Sequence, residues 1–336
     1  MLGCLLLRQR SHSYFFSRLR LHLFRARAGS QVYFARLEDA CALRHIAVAA
    51  GTVPRGNIFL LPKPARYGLV AAGAPVAPQS IQSQVHSMAV QDFAAGNFRY
   101  IPGVFQYSAG VAALPGFQII RVRFAAPVPL AEGFARVSQY IRDAGRPLTA
   151  FCACELRSPA PFTDDGFRSF NELYVTTLHA WGLLGNGDNP VARSNVCPEI
   201  GPPATPSFHA FCFTVAAEGA GPTFTISGSG EAREGGARYV ERTVRPGDTS
   251  PGAMREKAQF VVSEMERRLG LLGFGWADTT ATQVYTVHDL HPFLADEIVA
   301  RGAAPAGLTW HFNRPPVQEL EFEMDCRRIM HEHVIV

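Results

Sequence analysis

Between residues 105 and 325 the apolar spacing runs through one order of elements and then repeats it. Residues 105–112 and 118–124 are apolar runs around Leu114-Pro115-Gly116, which predicts a hairpin-like pair of strands. Leu130, Phe134, Val137, Tyr140 and Ile141 recur at helical spacing and stop at Gly145 and Pro147. Residues 149–156 read as a strand. Asp164-Asp165 can cap a second helix with Phe167, Phe170, Leu173, Tyr174, Leu178 and Trp181 on its apolar side. Strands at 191–196 and 208–215 complete the order β-β-α-β-α-β-β. The second pass has strands at 224–228 and 238–244, then a helix opened by Ser250-Pro251. A strand at 280–287, a helix at 291–301, and strands at 308–312 and 317–325 follow. Two copies of about 110 residues argue for a duplication. Sequential strands with helices on one face make each copy an α+β sandwich.

The rest of the chain is less regular. The first 30 residues hold six arginines (Arg8, Arg10, Arg18, Arg20, Arg25, Arg27) and no Asp or Glu. That fits a transit peptide, but an unstructured extension or a start placed too far upstream is the preferred reading. The formal net charge of +4 comes from this segment. Without it the body is near neutral and carries no electrostatic footprint for nucleic acid. Residues 31–98 read as irregular and β-rich, with short strands at 31–35, 58–61 and 67–70. The expected organisation is therefore 1–30 as a basic extension, 31–98 as a β-rich region, and domains at 99–219 and 220–330. No apolar run reaches the ~18 residues of a membrane span. The seven scattered cysteines are not a secreted disulfide framework, and none has a partner at zinc spacing. His331-Glu332-His333 reads as a frayed tail.

One stretch of the first copy carries chemistry. Asn171-Glu172-Leu173-Tyr174 lies on the second helix, and Asn189-Pro190-Val191-Ala192-Arg193-Ser194-Asn195-Val196 opens the next strand. This pairing resembles the signature of the RidA (YjgF) imine-deaminase superfamily, although Pro190 stands one residue further from the arginine. The resemblance covers about 100–217 and 222–328. It implies a chorismate-mutase-like α+β fold in tandem, a trimer-like packing of such domains, and sites in the clefts between them. Two positions of that trimer would lie in one chain, and the third would be left to residues 31–98 or to a second chain.

The family site joins a Ser-Gly, an Asn, an Arg and a late-strand Glu, and the resemblance divides these between the copies. The first copy keeps Asn171 and Arg193, with Asn195 beside them, but has His209 where the acid should be. The second keeps Ser227-Gly228 and, in Leu320-Glu321-Phe322-Glu323, the acid at Glu321. It offers only Ala306 at the arginine position, and Asp296-Glu297-Ile298 lacks the Asn. The implied composite site has Arg193 and Glu321 as catalytic groups, with Arg193, Asn171, Ser227, Gly228 and Asn195 binding substrate. Arg193 presents a fork suited to a carboxylate, and Glu321 can move a proton to or from water or a leaving amine. Glu319, Glu321 and Glu323 alternate, which also fits a solvated acidic strand face. Arg267-Arg268 reads as solvated surface.

Within the superfamily, residues 151–159, 189–196 and 285–293 resemble the longer deaminases of 2-aminomuconate and 2-amino-5-chloromuconate. That implies a cytoplasmic hydrolase of an enamine dicarboxylate, in the breakdown of aminophenols and nitrobenzenes, needing neither cofactor nor metal. A chorismatase-like enzyme and a non-catalytic ligand-binding protein on the same fold are the alternatives.

Overall fold

The structure, a computed structural model, describes residues 89–184, 188–235 and 238–336. These belong to the compact unit Gln82–Val336. The basic segment and the strands expected at 31–35, 58–61 and 67–70 lie outside the described residues.

The chain enters through three short strands, β1 (Gln91–Phe93), β2 (Phe98–Ile101) and β3 (Gly110–Ala113). The first α+β set follows: β4 (Phe117–Pro129), α1 (Leu130–Asp143), β5 (Phe151–Arg157), α2 (Asp164–Ala180), β6 (Ala192–Pro198) and β7 (Ser207–Ala216). The second set has β8 (Phe224–Gly230), α3 (Pro251–Leu272), β9 (Ala281–Tyr285), β10 (Thr309–His311), β11 (Asn313–Arg314), β12 (Glu323–Arg328) and β13 (Glu332–Ile335). α2 is capped by Thr163, whose Oγ1 accepts the Gly166 N–H at 3.1 Å. Asp164 and Asp165 lie in the first turn, where the helix dipole favours acids. α3 has Ser250 as its cap and Pro251 at its first position, and it stops at Gly273, whose φ of 84° suits glycine.

Among the described residues the strands form two mixed sheets. Sheet one has the order β1-β2-β3-β8-β12-β9-β10, and sheet two the order β11-β6-β5-β7-β4-β13. The run β6-β5-β7-β4 in sheet two recurs as β10-β9-β12-β8 in sheet one. In each, a strand from late in its set lies between two strands joined through a helix. The helices pack on the outer faces. Phe134, Val137, Tyr174 and Leu178 meet Phe208, Phe211 and Phe213 behind sheet two. Met254, Ala258, Val261, Met265 and Leu269 of α3 lie behind sheet one. A third cluster joins Phe98, Tyr100 and Val111 of sheet one to Ile119, Cys152 and Cys212 of sheet two. The sheets therefore face each other, and full burial of each large side chain contributes about 1.5–3 kcal/mol.

Four expectations are corrected. The runs at 105–112 and 118–124 do not form a hairpin: β3 pairs with β2 and β8, while β4 pairs with β7 and β13. Residues 238–244 hold a helical turn, Tyr239–Arg242, closed by the Thr243 hydroxyl on the Tyr239 carbonyl. The helix at 291–301 is one α-turn, His291–Phe293, running into a π-helix, Leu294–Val299. The tail at 331–333 is not frayed. Glu332–Ile335 is strand β13, and the Glu332 carboxylate accepts from Arg121 Nη1 at 2.6 Å.

Candidate active site

The two sheets meet where β6 passes β8. The Arg193 N–H donates to Ser227 Oγ at 3.0 Å, and the Gly228 N–H donates to Ser194 Oγ at 3.1 Å. Ser227 Oγ donates onward to the Ser108 carbonyl at 2.6 Å, so this serine ties three segments together. Ser194 Oγ donates to Asp325 Oδ2 at 2.6 Å. Pairing between β8 and β12 slips at this point. Met324 faces Ser229 and Cys326 faces Ile226, so Ser227 and Gly228 together oppose Asp325. Such a bulge re-aims the side chains around it. Gly228 is needed for space: a Cβ there would lie 2.1 Å from Glu323 Oε1.

Beside this junction is a cavity of about 460 Å³. Its wall includes Arg193, Asn195, Gly228, Glu323, Arg268 and Tyr107. Arg193 is 3% exposed, and its guanidinium lies among four aromatic rings. Tyr174 and Tyr107 are at 4.7 and 5.1 Å, Phe170 and Phe167 at 5.7 and 5.8 Å. The rings attract the cation but offer its N–H groups no strong acceptor, and Nη1 has no hydrogen-bond partner. Arg193 is thus poised to donate to an anionic oxygen.

Glu323 also faces the cavity and is 4% exposed. Burial pushes its carboxyl well above the usual range, and Asp325 and Glu231 push it further. Arg193 and Arg268 pull the other way without prevailing. Among the acids on the cavity wall, Glu323 is the one whose carboxyl burial and neighbouring carboxylates hold well above the ordinary range. Tyr107 stands within electrostatic reach of Arg193, Arg268 and Glu323, and burial pushes its phenol up to about 12.

The remaining expected residues divide. Asn195 lines the cavity; its Oδ1 accepts from Ser158 Oγ at 2.9 Å and its Nδ2 is unpaired. Asn171 is fully buried on the face of α2 that carries Phe167, Phe170 and Tyr174, with neither side-chain atom partnered, but it does not line the cavity. Ser227 lies behind the wall. Glu321 is not on the wall at all. Its carboxylate meets His288 Nε2 at 2.8 Å and Arg314 Nη1 at 3.8 Å. The strand expected from 317 begins only at Glu323, because Leu320 N–H turns back to the Val317 carbonyl and Glu319 has a φ of 76°. Of the acids in this segment, Glu323, two residues further on, is the one that lines the cavity. His209 lies apart, near Arg157, Glu155 and Arg121; burial and Arg157 push its imidazole down to about 3.

The family model described as 2-aminomuconate deaminase CnbZ matches residues 90–333. A 2-amino-5-chloromuconate deaminase of Comamonas testosteroni is 53% identical over 245 residues, which are 72% of this chain and 98% of that protein. Among solved structures, a chorismatase is 16% identical, covers 66% of this chain and 77% of its own, and has a TM-score of 0.41. RidA from an Antarctic Psychrobacter is 17% identical, covers 32% of this chain and 80% of its own, and has a TM-score of 0.23.

Proposed function

The chain belongs to the 2-aminomuconate deaminase family, and from that premise we propose how its cavity removes an amino group. The protein is a deaminase of the 2-aminomuconate and 2-amino-5-chloromuconate type. Its substrate is an enamine whose C2 carries both the amino group and a carboxylate. In our reading Arg193 holds that carboxylate, and its unpaired Nη1 beside a shared cavity is the observation that carries the assignment. Protonated Glu323 donates its proton to a chain carbon, which moves the double bond to C2=N. The resulting carboxylate takes a proton from water as the water oxygen adds to C2. That proton passes to nitrogen, the C–N bond breaks to release ammonia, and the hydroxyl returns its proton to the Glu323 carboxylate as the 2-oxo acid forms. The sum is enamine plus water giving oxo acid plus ammonia. Asn195 Nδ2, unpaired at the wall, can donate to the carbinolamine oxygen. Asn171 supports the aromatic box around Arg193.

The finer setting belongs to the same proposal. Residues 99–219 and 220–330 are two RidA-like units, a reading that rests on the repeated strand order. They occupy two positions of a trimer-like arrangement. The described cysteines are free, buried thiols, which suits work in the cytoplasm on nitrobenzene-derived metabolites.

Ammonia release from 2-aminomuconate generated in situ tests the assignment. Glu323→Gln should lower kcat about 10²- to 10⁴-fold, the range for a lost general acid–base. Glu321→Gln should stay close to wild type. The reverse ranking would return the acid to Glu321.

A further inference from the structure

A muconate has a second carboxylate at the far end of a rigid conjugated chain. If Arg193 holds the near carboxylate, the far one enters the same cavity, where an unpaired carboxylate is costly. The wall offers four more arginines: Arg168, Arg238, Arg242 and Arg268. Arg238 is a rim residue with 75% of its side chain exposed. Arg268 is 5% exposed. It reaches the cavity from α3, on the outer face of sheet one, whereas Arg193 comes from β6 of sheet two. Both guanidinium groups act on the Glu323 carboxyl.

The bonding of Arg268 distinguishes it from a structural arginine. Its Nε donates to Glu264 Oε1 at 2.7 Å, which fixes the plane of the guanidinium, and Glu264 is shared with Arg267. The other two nitrogens make only long contacts with neutral groups. Nη1 is 3.2 and 3.5 Å from the Ser227 and Gly228 carbonyls, and Nη2 is 3.4 Å from Ser229 Oγ. Arg121 in the same molecule shows the saturated alternative: Glu155 receives two of its N–H groups at 2.6 and 2.8 Å, and Glu332 a third at 2.6 Å. Arg268 is oriented by one carboxylate and keeps an underused edge on the cavity wall.

We propose that Arg268 is the second carboxylate clamp, receiving the carboxylate distal to the amino group while Arg193 holds the near one and Glu323 works between them. The assignment rests on the deaminase reading for its orientation. It makes dicarboxylate selectivity a property of one side chain on α3.

Binding of two stable probes tests it without turnover. trans,trans-Muconate and sorbate share the same six-carbon diene, and sorbate has a methyl group in place of one carboxylate. Calorimetry on the full chain should give wild type a preference for muconate of roughly 10- to 100-fold, the scale of one charge-assisted pair. Arg268→Gln should reduce that preference to near unity with sorbate affinity unchanged. Arg268→Lys, which keeps the charge and loses the fork, should retain part of it. Arg193→Gln should weaken both probes. No preference in wild type, a preference intact in both Arg268 variants, or equal loss of both probes would overturn the clamp. Ammonia release by wild type is scored separately, so failure of the deaminase reading is told apart from failure of this one.

Discussion

The Glu323 carboxyl is held well above its ordinary range because the fold removes water from it and sets Asp325 and Glu231 nearby, against the pull of Arg193 and Arg268. Its pKa in the folded state is raised above the ordinary value of 4.5. The stability tied to this proton is complete below the unfolded pKa and is lost as pH rises through the folded one. Glu323→Gln is neutral at every pH. It should match the wild-type thermal midpoint near pH 4 and exceed it near pH 8 (values set around the carboxylate range). Equal midpoints at both values would show that the carboxyl is not perturbed. Gly228→Ala probes the same group from the other side. Its Cβ would sit 2.1 Å from Glu323 Oε1, and the flexible carboxyl must yield first. Activity should fall at least about 10-fold, as for a small misplacement of a catalytic group, with the unfolding midpoint little changed. Arg193 and Gly228, which line the cavity, sit in short motifs that the sequence displays, whereas Ser227 of the same motif lies behind the wall. The place of Glu323 on the wall is not displayed, since Glu321 and Glu323 have the same strand parity and only the turn before β12 decides which enters the cavity.

α3 shows at the scale of an element why two polar residues escaped notice. Val261, Met265, Arg268 and Leu272 are spaced as one buried stripe, and Lys257 lies one turn earlier on it. A charged residue at a core position of an amphipathic helix was the available signal. Read as a pair, Arg267-Arg268 looks like solvated surface because the adjacent Arg267 does face outward. Lys257 and Glu231 form a fully buried ion pair at 3.1 Å. Glu231 also accepts the N–H groups of Glu321 at 2.7 Å and Phe322 at 3.1 Å. The pair therefore clamps the turn that delivers Glu323. Lys257→Met leaves a buried carboxylate alone and should cost about 3–5 kcal/mol in urea unfolding. Adding Glu231→Leu should restore much of that stability. It should not restore activity, because the backbone N–H groups at 321 and 322 lose their acceptor. Recovery of both together would reduce the pair to a stability element.

At the scale of the whole molecule the two sets are not separable. β1, β2 and β3 come from the start of the described chain, yet they extend sheet one through β3 against β8. β11 and β13 come from its end, yet they form the two edges of sheet two, on β6 and β4. Each half thus lends edge strands to the other's sheet. Spacing along the sequence marked most of the strands and helices, though not the helical turn at 239–242 or the strand at 332–335. It could not show the exchange, because a short apolar strand carries no mark of its distant partner. The cluster around Phe98, Tyr100, Ile119 and Cys212, and the contact of Arg193 with Ser227, both arise from this facing of sheets. Fragments 89–219 and 220–336, expressed apart, should each leave strand edges uncovered, because the cut separates β3 from β8, β6 from β11 and β4 from β13. Neither should show a cooperative thermal transition, and neither should release ammonia from 2-aminomuconate. Co-expressed, they should assemble and recover part of the activity, since every residue of the cavity is then supplied and only the covalent link at 219–220 is missing. A cooperative transition in either fragment alone would mean that the borrowed strands are additions to a self-sufficient unit, and the composite site would then be a docking of two domains rather than one fold.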